Sequence, residues 1–131
     1  MDRPPLVYLA CPYTHDDAAE REARFEAANQ AAAAMMSAGG FVFSPITHGH
    51  PLAAFGLPTD WKYWQAYDRR ILEQCDELAI LDIPGWPESE GVAAEVAIAT
   101  GLGLPVYFVD RNGRKNFSLE PIEPNPCEPA A

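Results

Sequence analysis

Short, wholly apolar runs alternate with longer segments of helical periodicity along this chain, and the alternation predicts its architecture. Residues 5–10 (PLVYLA) and 78–81 (LAIL) read as strands covered on both faces. Residues 41–44 (FVFS) and 106–109 (VYFV) predict two more. Between the first pair, residues 17–38 place Phe25, Ala28, Ala32, Met35 and Met36 on one face of an Ala-, Glu- and Arg-rich helix. Thr14 or Asp16 is its expected cap, and Gly39-Gly40 its end. Residues 46–58 (ITHGHPLAAFGLP) read as a long loop. A second helix is expected over residues 59–75, with Trp61, Trp64, Ile71, Leu72 and Cys75 as its stripe. A third starts at an N-cap Ser89 and carries Val92, Val96, Ala99 and Leu102 inward. Strands alternating with helices imply a single-domain α/β fold, a parallel Rossmann/flavodoxin-like sheet of four to five strands flanked by helices. The domain is expected over residues 1–110, and the proline-rich residues 111–131 as an irregular tail.

Two positions break the apolar stripes. Glu95 falls between Leu102 and Ala99 on the third helix, and Asp68 sits mid-stripe between Trp64 and Ile71 on the second. An inward carboxylate is expensive as packing and reads as chemistry. In parallel sheets ligands bind beyond the carboxyl ends of the strands, where strand order reverses. The turns at residues 11–14, 44–50 and 84–89 share that end, so a single crevice is expected there. Tyr8 of the first strand brings a buried hydroxyl that needs a partner, and Glu95 is a plausible acceptor. Paired carboxylates in a half-dry cleft divide labour, one ionised as nucleophile and one protonated as acid, as in glycoside cleavage through a covalent intermediate.

Composition narrows the partners. The formal charge of −10 on 131 residues argues against a nucleic-acid polymer, which calls for a basic surface. A small anion remains compatible, because a helix N-terminus binds phosphate without basic residues. No apolar run approaches membrane-spanning length and no signal-like segment opens the chain, so a cytoplasmic location is expected. The three cysteines, Cys11, Cys75 and Cys127, lack metal-ligand spacing, and His48 and His50 with Cys11 make an unconvincing ligand set, so neither metal nor cofactor is expected. A Walker lysine motif, a glycine-rich dinucleotide turn and a nucleophile-elbow serine are all missing.

Four stretches together resemble the nucleoside 2-deoxyribosyltransferase superfamily: VYLACPYT at residues 7–14, Asp68 in YDRRIL, CDELAILDIPGW at residues 75–86, and Ser89-x-Gly91-Val92-x-x-Glu95. The likeness is nearer to a small bacterial and phage branch of uncharacterised domains. The resemblance implies that Glu95 attacks C1′ of the sugar, that Tyr8 orients it, and that Asp68 contacts the base and helps protonate it. It also implies that Ser89 and Gly91 hold the 5′ end. Cys11, Pro12, Tyr13, His48 and Trp86 are the further residues expected against substrate. Serine at position 89, where transferases on free nucleosides usually carry aspartate, is more similar to nucleoside 5′-monophosphate N-glycosidases. Those enzymes complete their sites from a neighbouring subunit, which implies a homo-oligomer. The expected activity is hydrolysis or transfer at the N-glycosidic bond of a (deoxy)nucleoside 5′-monophosphate. A deoxyribosyltransferase on free nucleosides and a non-catalytic nucleotide sensor are the alternatives.

Overall fold

The computed structural model describes residues 3–116. Its elements run β1 (Leu6–Ala10), α1 (Ala18–Ser37), β2 (Phe41–Phe43), α2 (Pro45–Gly49), a 3-10 segment (His50–Phe55), α3 (Trp61–Leu72), β3 (Glu77–Leu81), α4 (Glu90–Gly101) and β4 (Val106–Val109). The four strands form one parallel sheet in the order β2-β1-β3-β4. The expected architecture is therefore the observed one, with four strands among the described residues. No described helix is long and apolar enough to cross a membrane.

Period-two alternation sorts the strand residues into two cores. Val7, Leu9, Ala79 and Leu81 face α1, while Tyr8, Ala10, Leu78 and Ile80 face α3 and α4. α1 leads from β1 to β2 on one face, and α4 leads from β3 to β4 on the other. Neighbouring strands β1 and β3 thus send their chains to opposite sides, and a crevice opens between their carboxyl ends.

Several local expectations shift. Asp17, rather than Thr14 or Asp16, caps α1 by accepting from the Ala19 amide. α1 rests on Ala27, Ala28, Ala31 and Ala32, and these small side chains bring the helix close to the sheet. Phe25 and Met35 consequently flank the contact and Met36 is exposed. Leu102 is also exposed, because it lies one residue past the end of α4. Ser44 does not extend β2. Its hydroxyl accepts from the Thr47 amide, and with Pro45 at the first position it starts α2. The expected loop 46–58 is thus largely helical. α3 is shorter than expected, flanked by Asp60 and Glu73. After β4, residues 110–116 fold back, with Asp110 capping the turn and Lys115 bridging to Val109. The expected irregular tail otherwise lies outside the described residues.

Candidate active site

A cleft of about 330 Å³ opens at the carboxyl end of the sheet, within the usual range for small-molecule sites. The β1–α1 turn supplies Cys11, Tyr13 and Thr14, and the segment after β2 supplies Pro45, Ile46, Gly49 and His50. α3 and the turn before it add Asp60, Trp61, Lys62, Trp64 and Asp68. The start of α4 adds Glu88, Ser89, Glu90, Gly91 and Glu95.

Glu95 is 4 % exposed and lies in the second turn of α4, where the stripe should be apolar. Tyr8, fully buried on the central strand, donates its hydroxyl to Glu95 Oε2 at 2.5 Å. Asp68 is 7 % exposed, and no described group donates to it, so its carboxyl opens onto the cleft. Burial pushes Asp68 up to about 7. Burial likewise pushes Glu95 up to about 8, with the Tyr8 hydrogen bond pulling down and the charge of Asp68 adding to the rise. Burial, then Glu95, then Asp68 hold the Tyr8 phenol far above its usual value, so it stays a donor. Near neutral pH the two carboxyls therefore keep a proton between them, held more tightly by Glu95 than by Asp68.

The α4 N-terminus closes one end of the cleft. Ser89 is its N-cap, accepting from the Val92 amide at 3.1 Å, and the amides of Glu90 and Gly91 before it are left to meet a ligand. Gly91, expected with Ser89 to hold the 5′ end, lines the cleft, and its bare face is met by the Trp61 indole, whose Cε3 would lie 3.4 Å from a Cβ there. Trp64 meets Gly49 in the same way at 3.4 Å. These indoles, placed by periodicity in a packing stripe, wall the cleft.

The other expected site residues divide. Tyr13 lines the cleft. Cys11 does too, but its thiol is turned toward the carbonyls of Pro12 and Arg24 and burial pushes it up to about 12, so it is no nucleophile. Pro12 is fully buried behind the wall. Trp86 packs edge-on against Phe108 in the apolar core rather than against the cleft. His48 also stands outside the lining. Its ring stacks on Tyr67, whose hydroxyl meets Nε2 at 3.0 Å. The histidine in the cleft wall is His50, two residues on and therefore on the other side of the helical segment. Loop-like sequence carries no periodic signal that could have told the two apart. Among the described residues no group of three or more His, Cys, Asp or Glu side chains could hold a metal.

A solved structure of a 2-deoxyribosyltransferase from the psychrotolerant bacterium Bacillus psychrosaccharolyticus is similar to this chain. The identity is 21 %, the match covers 83 % of this chain and 74 % of that one, and the TM-score is 0.59. It shows a shared fold. No curated protein matches the chain. The family model for "Domain of unknown function (DUF1937)" matches residues 5–111, which takes in every element from β1 to β4. The chain belongs to that family.

Proposed function

We propose that this protein is an enzyme that breaks the N-glycosidic bond of a (deoxy)nucleoside 5′-monophosphate. The observation that carries the reading is the buried Glu95, gripped by Tyr8 and facing the same cleft as the unpartnered Asp68. A binding module has no use for two carboxylates held out of water at such cost. As substrate binds, the shared proton passes from Glu95 to Asp68; ionised Glu95 then attacks C1′, the C1′–N bond breaks, and its electron pair leaves with the base as Asp68 delivers the proton to it. Water, or a second base, then attacks C1′ of the glycosyl–Glu95 ester. Asp68 takes the proton from that nucleophile, and the Glu95 carboxylate departs unchanged. The 5′-phosphate rests on the free amides of the α4 N-terminus beside the Ser89 hydroxyl, where backbone dipoles favour an anion.

A second reading, action on free nucleosides, is favoured by one observation. Asp60, Glu88 and Glu90 line the same end of the cleft against the lone cation Lys62 among the described lining residues. A carboxylate there accepts from a 5′-hydroxyl and repels a phosphate. All three are exposed, so water screens them, and for that reason the N-terminal amides carry the leading proposal.

The test is release of free base from matched nucleotides and nucleosides. The parent is expected to show the higher kcat/KM on the 5′-monophosphate, and Glu95→Gln to lose at least a thousandfold, on the scale of a missing nucleophile. Ser89→Asp should flatten or reverse the nucleotide preference. A parent that prefers the free nucleoside makes the second reading correct, and activity retained in Glu95→Gln removes both.

A further inference from the structure

Opposite the α4 N-terminus, a chain of side chains ends in the cleft wall and is unused by the reaction above. Glu22 Oε1, on α1, lies 2.8 Å from His50 Nε2, and the Tyr13 hydroxyl lies 2.6 Å from His50 Nδ1. The Phe25 ring, 4.3 Å from the imidazole centroid, holds its plane. A carboxylate can only accept, so Nε2 carries a ring proton, and in the neutral imidazole Nδ1 is left with its lone pair. The Tyr13 O–H must then point at Nδ1. Arg21, a donor only, acts on the same phenol and favours the same direction. With its hydrogen spent, the Tyr13 oxygen offers only lone pairs.

From this polarity we infer that Tyr13 is an acceptor that selects bases bearing an amino group, with His50 and Glu22 as the residues that aim it. The inference rests on the proposed function for its placement of the substrate. With the 5′ end at Ser89 and C1′ at Glu95, the base extends toward the side of the cleft walled by Tyr13, Gly49 and His50. An exocyclic N–H₂ on the base meets the Tyr13 oxygen. A base lacking that donor forgoes this hydrogen bond in a half-buried wall.

The test separates binding from turnover. Affinities of the 2′-deoxyribonucleoside 5′-monophosphates of adenine and of unsubstituted purine are measured by calorimetry, with Glu95→Gln so that neither is consumed. Adenine is expected to bind about tenfold more tightly, a hydrogen bond's worth with its desolvation. Adding Tyr13→Phe or His50→Leu should cut that ratio below about twofold while affinity for the purine compound changes by less than about threefold, which a collapsed wall would not do. Equal affinities, a preference for purine, no binding of either, or selectivity surviving Tyr13→Phe each overturns the inference. Selective binding by a parent that never releases base removes the proposed function and leaves this inference standing. Base release with no selectivity does the reverse.

Discussion

Glu95 and Asp68 strain the fold that holds them, and the strain has a sign. Both carboxyls sit above their ordinary range, Glu95 at about 8 and Asp68 at about 7, with burial the main cause. A carboxyl whose folded pKa is raised binds its proton more tightly in the folded state. Its contribution is therefore complete below the unfolded value near 4 and is lost as pH rises toward 7 and 8. The parent should lose stability across that window. Glu95→Gln keeps the shape, still accepts from Tyr8 and has nothing to ionise. It should be more stable than the parent by about 1–3 kcal/mol at pH 8, with the gap closing near pH 5. Denaturant melts at the two pH values check this, and a constant gap would mean that Glu95 titrates as it does in the unfolded chain. The inward direction of these two residues was legible in sequence because a charge interrupting an apolar stripe is conspicuous. His50 was not, because its segment has no stripe to interrupt and its partners Tyr13 and Glu22 lie 37 and 28 positions away.

At the scale of elements, the cleft depends on two turns staying together. Arg24, on α1, bonds Glu20 and the Thr14 carbonyl, each at 3.2 Å, and lays its guanidinium over Gly85 in the turn after β3. A Cβ on Gly85 would lie 2.5 Å from Arg24 Nη2. Gly85 and Gly39 share nearly the same left-handed backbone, φ 99° and 98°, but Gly39 has nothing within 4 Å. Both alanine variants meet the left-handed penalty of about 1–2 kcal/mol. Gly85→Ala should cost about 1 kcal/mol more, since Arg24 must move, and that excess should vanish in an Arg24→Ala background. An excess that persists without Arg24 would show that the guanidinium does not join the turns. The strands, the order of helices and the Ser89 cap were all readable from local pattern. The depth of each helix was not. Only the assembled sheet shows that α1 rests on its alanines, which leaves Met36 in water, or that Leu102 falls beyond the α4 contact. Ser44 and Pro45 carried the signature of a helix start, and it lay hidden inside an apparent loop.

The whole molecule carries a charge of −10, and the cleft shares that sign through Asp60, Glu88 and Glu90. In the proposed reaction an incoming phosphate is repelled at long range and finds its favourable contact at the amides of α4. Salt screens the first effect more than the second, since the Debye length falls from about 30 Å at 0.01 M to about 10 Å at 0.1 M. Raising salt over that range should lift kcat/KM for the nucleotide about two- to fivefold and leave the matched nucleoside unchanged. A fall for the nucleotide would mean that cations govern its capture. The strand order has a further consequence, for the way the protein is made. β1 lies between β2 and β3, yet its pairing with β3 joins positions 70 residues apart, and the Tyr8–Glu95 bond spans 87. On the ribosome, β1 emerges with one edge unpaired and waits for most of the domain before that edge is covered. Until then it is a strand open to foreign partners. Tyr8 meets Glu95 only after α4 has followed, so the proposed nucleophile is among the last groups to be enclosed, and no half-made chain holds the Tyr8–Glu95 pair.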